Sequence, residues 1–335
     1  MLAMFLGSFS TASAQNFDLN DDGAVDVADV SALISYMAGS RQAPVIMNRV
    51  QTDAAKAKLN ETGAQAIDLG LPSMRKWADR NIGYSKDKDY GVYFAWGGLN
   101  WVVARQTNVP NGYVLEPGVS YDDKVTAFNW KNYEWIAPGR TTWRGISKYQ
   151  VEDGAMNEGT DTVKWYNDDR SFSGDNIWIL ENDDDAAKYH WGAKWRMPYT
   201  HEFQELLDYT DQIWDTDQKE LQKGISAKDA KGIWGCWFRG KNPGRDGLNW
   251  SGAEIFLPAA GDIEYQYVEY RIGQYMFPRG KYWSREIGSH FGHDSSQAEI
   301  LSISRQHCCE DEPLNAVTYS ERQYGLTIRP VLDDE

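Results

Sequence analysis

Cysteine is scarce in this chain: Cys236, Cys308 and Cys309 are the three thiols in 335 residues. So small and odd a count rules out a dense disulfide framework and leaves one thiol unpaired. Joining Cys236 to Cys308 or Cys309 would close a loop of about 70 residues, worth about 4 kcal/mol in loop-closure entropy. The alternatives are a buried thiol at Cys236, a free pair at 308 and 309, or a strained vicinal bridge between those two. Positive charge is also in deficit, with 34 Lys and Arg against 49 Asp and Glu and a net charge of −15. Such a surface repels phosphates instead of releasing their counterions, which argues against a nucleic-acid partner. Outside the N-terminus no stretch approaches 18 apolar residues, so the chain is not expected to be membrane-spanning.

Several catalytic patterns are missing as well. There is no GxSxG, no GxxxxGK and no GxGxxG. His201-Glu202-Phe203-Gln204-Glu205 begins like the zinc-hydrolase pattern HExxH, but Glu205 stands where the second His is needed. His290 and His293 lie three apart in a Gly- and Ser-rich stretch and read as surface residues. The 49 carboxylates always offer a pair about 5–10 Å apart for an extracellular glycoside hydrolase, with aromatic subsites beside them, so that alternative stays open.

The sharpest positive signal is a calcium loop. Asp18, Asn20, Asp22, Asp26 and Asp29 place side-chain oxygens at loop positions 1, 3, 5, 9 and 12, and Gly23 occupies position 6, where the backbone must turn. The carbonyl of Ala24 completes a set of hard oxygen ligands for Ca2+. Val27, Val30, Ile34 and Met37 follow at helical spacing, and Gly39 stands as a stop. Residues 18–39 resemble the type I dockerin repeat, an EF-hand-like loop-helix module with the pattern DxNxDGxxDxxD. The resemblance implies a cohesin-like partner. A second repeat is missing, and loop positions 10 and 11 are Val27 and Ala28, where partner-reading dockerins carry hydroxyls.

Residues 1–14 read as a secretory signal, an apolar run closed by Ala12, Ser13 and Ala14 in the A-x-A pattern, so the chain is expected to be secreted or at the cell surface. The dockerin-like repeat then occupies 15–39, a linker of low apolar periodicity 40–64, and a large domain 65–335 with an irregular insertion near 97–188. Within the insertion Asp183, Asp184 and Asp185 read as solvated charges. Short apolar runs punctuated by Gly and Pro predict strands near 66–70, 74–78, 92–96, 233–239, 254–258, 281–285, 298–304 and 324–331. At 189–209 the pattern turns helical: Thr200 is placed to cap, Glu202 falls in the first turn, and Phe203, Leu206 and Leu207 form an apolar face. The fold class is α+β. Aromatics reach 13%, including 15 Trp and 19 Tyr, and supply either an aromatic core or platforms for sugars and proteins.

The segments Asp68 to Gly83, Asp89 to Trp96, Trp191 to Leu207, Ile255 to Gly261, Tyr282 to Ser284 and Tyr324 to Val331 together resemble the fibrobacter major paralogous domain. That family is similar to the C-type-lectin-like group, which implies short twisted antiparallel strands, one principal helix and a noncatalytic binding or adhesion role on glycan or extracellular protein. Arg285 stands after the YWS motif where the family usually has a small polar residue. Residues Trp195 to Pro198 read as architectural, with Arg196 satisfying carbonyls or a carboxylate. The formylglycine-generating branch of the group needs a metal-binding cysteine pair, which adjacent Cys308 and Cys309 supply with difficulty, so that activity is not carried over. In such a fold the loops between later strands present the ligand face, and here they hold Asn249, Trp250, Tyr265, Tyr267, Tyr270 and Tyr275. Alternation of Tyr265 and Tyr267 is equally compatible with packing along one strand face.

Overall fold

The structure is a computed structural model that describes residues 59, 63–83, 90–106, 113–117, 128–151, 172, 174–215, 234–241, 253–264, 267–269, 279–287, 296–304 and 315–333. All of them belong to one compact unit, Lys56–Glu335. In chain order the strands are β1 (Ala66–Asp68), β2 (Lys76–Ala78), β3 (Tyr93–Phe94), β4 (Trp101–Gln106), β5 (Tyr113–Pro117) and β6 (Trp195–Arg196). They continue with β7 (Thr210–Asp215), β8 (Gly235–Gly240), β9 (Glu254–Pro258), β10 (Asp262–Glu264) and β11 (Tyr267–Glu269). The last four are β12 (Arg279–Ile287), β13 (Gln297–Ser304), β14 (Asn315–Glu321) and β15 (Val331–Leu332). Helices α1 (Ala186–Trp191) and α2 (Thr200–Tyr209) flank β6. The architecture is α+β and β-rich, built from small antiparallel sheets in the orders β1-β2-β15-β6, β3-β4-β5, β7-β8-β9, β10-β11 and β12-β13-β14.

The principal core joins three of the five sheets to α2, while Tyr93 of β3 and Val102 and Ala104 of β4 pack with Phe128 and Ile263 in a second cluster. Trp77 from β2, Phe203 and Leu206 from α2, Cys236 and Phe238 from β8, Ile255 and Leu257 from β9, and Tyr282, Leu301 and Ile303 from the β12-β13 pair pack as one buried cluster. Helix α2 is the ten-residue element anticipated from the Phe203/Leu206/Leu207 face, and Leu207 packs partly buried against the cluster. The described chain closes on itself, because β15 pairs antiparallel with both β2 and β6.

The helical stretch anticipated over 189–209 is two helices. Gly192, at φ 92, ends α1, and Pro198 disfavours helix at Met197, so α2 starts beyond it and Trp195 and Arg196 pair with β15 as a strand. Tyr199 takes the cap position expected of Thr200, and two carboxylates satisfy the exposed donors there. Glu202 accepts from the Tyr199 N–H at 2.8 Å and Glu286 from the Thr200 N–H at 2.6 Å.

Of the aspartate run, Asp183 is exposed as expected, but its two neighbours are not solvated. Asp184 is 2% exposed and Asp185 fully buried. Asp185 caps α1 by accepting from Ala187 and Lys188, and it also accepts the Met197 N–H, which ties the helix to the strand after it. Burial pushes its carboxyl above the ordinary range, against the charge of Arg285 and those N–H groups. Asp184 binds Lys148 Nζ at 2.6 Å and the Tyr149 hydroxyl at 2.5 Å. Residue number alone hides this, since three consecutive Asp look like a polar turn until the chain folds over them.

The described part of 97–188 is more regular than its composition suggests. Its described residues contain the β4-β5 pairing, three 3-10 turns at Trp130–Asn132, Trp143–Gly145 and Asn182–Asp184, and a bridge between Ile136 and Ile146. Arg322 organises it from below: its guanidinium donates to Tyr133 Oη and to the carbonyls of Tyr149 and Lys148, and lies 4.7 Å over the Trp96 ring. Tyr149 sits in the left-handed region at φ 61, fixed there by Asp175, Asp184 and Arg322. Arg285 spends its extra length in the same region, donating to the Leu180 carbonyl at 2.7 Å.

Near the C-terminus the strand anticipated over 324–331 is interrupted. Gly325, Leu326 and Thr327 make single bridges to Ile263, Phe94 and Tyr282, and the regular strand begins at Val331.

Candidate ligand face

The three-stranded sheet β7-β8-β9 presents the most chemically suggestive surface among the described residues. Strand β7 leaves α2 without a loop: Thr210 Oγ1 donates to the Leu206 carbonyl at 2.6 Å, and Gln212 Nε2 to the Leu207 carbonyl at 2.8 Å. The sheet therefore starts from a fixed helix end. Alternation then sorts its side chains. On the inner face Cys236 and Phe238 of β8 stand beside Leu257 and Ile255 of β9, all in the core.

The outer face carries the remaining register positions. Ile213, Trp237 and Phe256 lie side by side in one row across the strands. Ile213 is 43% exposed, while Trp237 and Phe256 are half-buried. The two rings have centroids 5.0 Å apart and planes inclined at 48°. Gly235 makes this possible, since a Cβ on it would stand 2.5 Å from the edge of the Phe256 ring and 2.3 Å from the Leu257 carbonyl oxygen. The ring thus lies across a stretch of bare backbone. The next row is Asp211, Arg239 and Glu254, in which Arg239 Nε and Nη2 donate to Glu254 Oε2 at 2.9 and 2.7 Å. An apolar strip with hydrogen-bonding groups along its border can stack on the C–H face of a sugar ring and hold its hydroxyls.

Cys236 lies directly beneath as a free, buried thiol, the first of the three dispositions allowed by the cysteine count. Burial pushes it up to about 12, with Asn315 Nδ2, 3.8 Å from Sγ, acting the other way. At neutral pH it is a protonated, unreactive core atom.

Of the residues expected to bind ligand, Tyr267 lies in β11, opposite Glu264. Asn249, Trp250, Tyr265, Tyr270 and Tyr275 lie outside the described residues, as do the calcium-loop positions Asp18, Asn20, Asp22, Ala24, Asp26 and Asp29 and both His290 and His293. Among the described residues no group of three or more His, Cys, Asp or Glu is placed to hold a metal ion, and no helix is long and apolar enough to cross a membrane. Trp237 and Phe256 were not anticipated as ligand residues. The signal was present, because within GIWGCWFR and EIFLP they alternate with the core positions Cys236, Phe238, Ile255 and Leu257 and must therefore face outward.

Glu202 belongs to the architecture, while His201 is exposed and stacks on the Tyr199 ring with centroids 5.4 Å apart. Glu202 accepts two 2.7 Å hydrogen bonds from Arg196 and forms an ion pair with Arg75, whose Nε lies 2.7 Å from Oε1. Arg196 also approaches Asp333, which binds Lys188. Burial alone would raise Glu202, but the Arg196 bonds and charge, the Tyr199 N–H and Arg75 outweigh it and hold the carboxyl below the usual glutamate value.

Compared with known proteins, the chain matches no family model, no curated protein and no solved structure.

Proposed function

We propose that the protein is an exported, noncatalytic binding protein of the cell surface or its surroundings. Its large domain, C-type-lectin-like in organisation, holds a glycan against the outer face of β7-β8-β9, and the loop Asp18 to Asp29 binds calcium as a separate ordering or attachment module. The observation that carries the reading is the outward row of Ile213, Trp237 and Phe256, bordered by the Arg239–Glu254 pair. The sequence resemblance to the dockerin repeat and to the fibrobacter major paralogous domain supports export and a binding role; a cohesin-like partner for the calcium module belongs to the same proposal.

Affinity electrophoresis in gels cast with a polysaccharide panel tests this. The expected result is retardation that Trp237→Ala or Phe256→Ala removes while the thermal melt stays cooperative. Release of reducing sugar from the same panel would replace the reading with the glycoside-hydrolase alternative.

A further inference from the structure

We propose that His190 is an acid-sensitive latch on the segment that leads into the large domain: its neutral ring holds Leu59 in place, and protonation of that ring releases Leu59 while the domain stays folded. The latch works whatever ligand the domain holds.

Its parts come from distant stretches of chain. Leu59 stands near the end of the anticipated linker 40–64, and His190 lies in α1, 131 positions further on. The Leu59 N–H donates to His190 Nδ1 at 3.3 Å, and Nε2 on the other side of the ring lies 2.9 Å from the Leu99 carbonyl oxygen. A carbonyl can only accept, so Nε2 carries the hydrogen; a backbone N–H can only donate, so Nδ1 keeps its lone pair. The two contacts select one neutral tautomer. A proton added at Nδ1 sets one N–H against another, whereas with Leu59 withdrawn water can accept that hydrogen.

Burial sharpens the choice. His190 is 5% exposed and lies against the Phe94 ring of β3 at 5.5 Å and the Tyr189 ring at 5.0 Å, so a charge on it is poorly solvated while Leu59 is bound. The charged groups on the elements around it are few. On α1, Lys188 pairs with Asp333 and Asp185 caps the helix; Glu134 accepts from the Leu99 N–H at 3.2 Å; β3 contributes Tyr93 and Phe94 and no charge. Lys58 and Glu61 flank Leu59 in the sequence. Asp185, pushed upward by burial, and Glu61 also gain protons in acid, so the test must separate them from His190. Release need not unfold α1, because the Asp185 cap, the Lys188 pair and the Trp191 contact with Trp195 hold the helix without Leu59.

Linkage sets the size of the effect. An imidazole free to titrate does so near pH 6.5, so at pH 5.0 its protonation favours the released form by up to about thirtyfold, and at pH 7.5 by almost nothing.

The test is hydrogen exchange of the full chain, read by mass spectrometry on peptides covering Leu59 and corrected for the intrinsic effect of pH, with a thermal melt at each pH. Native protein should protect the Leu59 amide at pH 7.5 and lose that protection by about tenfold or more at pH 5.0, with a melt that stays cooperative. His190→Asn sets an amide oxygen where Nδ1 stands and does not titrate, so it should protect Leu59 at both pH values. His190→Gln keeps a donor for Leu99 but offers Leu59 no acceptor, and should leave the amide unprotected at both. If either variant fails to fold, the His190 ring signal in the proton–carbon NMR spectrum of the native chain decides, and it should move over the pH range in which protection is lost. No protection at pH 7.5, protection that persists at pH 5.0, a His190→Asn profile like the native one, a ring signal that does not move, or release only when the whole domain unfolds would each overturn the latch.

Discussion

Replacing Glu202 by Gln tests whether the His201-Glu202 pair belongs to the fold or to chemistry. The Glu202 side chain is 2% exposed and that of Arg196 4%, so the pair is buried on both sides. Gln keeps the shape and removes the charge. Arg196 then retains the Met197 carbonyl at 3.1 Å and a 3.3 Å approach to Asp333, which offset part of the loss. Breaking a buried pair by removing one partner costs about 3–5 kcal/mol, and the remaining contacts place this case near the lower end, about 3 kcal/mol. At about 2–4 °C per kcal/mol, the melting temperature should fall by about 10 °C, read by circular dichroism at neutral pH. Removing both charges in Arg196→Leu with Glu202→Leu should cost less than the sum of the single changes, since no charge is then stranded. The acid limb supplies an independent readout. Because the folded-state pKa of Glu202 is lowered, its contribution is present above the unfolded glutamate value, about 4.3, and is lost as pH falls through the folded value. The Gln variant should therefore lose stability less steeply below about pH 4.3. A loss under about 1 kcal/mol with an unchanged acid limb would refute the structural assignment of Glu202.

Three further outcomes are expected. Gly235→Ala should destabilise the domain by about 1–3 kcal/mol, measured by urea unfolding, because the new methyl meets the Phe256 ring and the Leu257 carbonyl; a neutral result would mean that the ring does not lie over the backbone. Calcium titration of the full chain by calorimetry should include a site abolished by Asp18→Ala together with Asp22→Ala, and a titration that the double change leaves untouched would remove the calcium loop from the account. Cys236, buried and pushed up to about 12, should resist iodoacetamide at pH 8 until the protein is unfolded, as peptide mapping would report; rapid native labelling would place it at the surface.

Much of the sheet scaffold was legible from local pattern. The runs around 254–258 and 298–304 became β9 and β13 within a residue, since each combines apolar alternation with punctuated ends. Strand β14 escaped notice because NAVTYSE is weakly apolar; it is held by pairing with β13 and by packing near α2, which are tertiary facts. The split between α1 and α2 turned on Gly192 and Pro198, both visible but outvoted by the periodicity of their neighbours. Asp184 and Asp185 failed for the opposite reason: composition favours solvent for three consecutive Asp, and Lys148, Tyr149 and the N–H groups that hold them become neighbours only through the fold. For the candidate ligand face, the aromatic-rich loops carry the louder compositional signal, whereas the outward positions Trp237 and Phe256 are encoded by parity within β8 and β9.

The account stands or falls on the outer face of β7-β8-β9. The most direct measurement is the dissociation constant for a soluble polysaccharide that retards the native protein, by affinity electrophoresis, of native protein against Trp237→Ala and Phe256→Ala, each with its melting temperature. The account predicts binding by native protein and at least about tenfold weakening in each variant. Because both rings are half-buried, their melts should shift less than that of a core change such as Phe203→Ala, which costs about 3–5 kcal/mol. Binding that survives both substitutions, or melts that fall as far as that of Phe203→Ala, would contradict it.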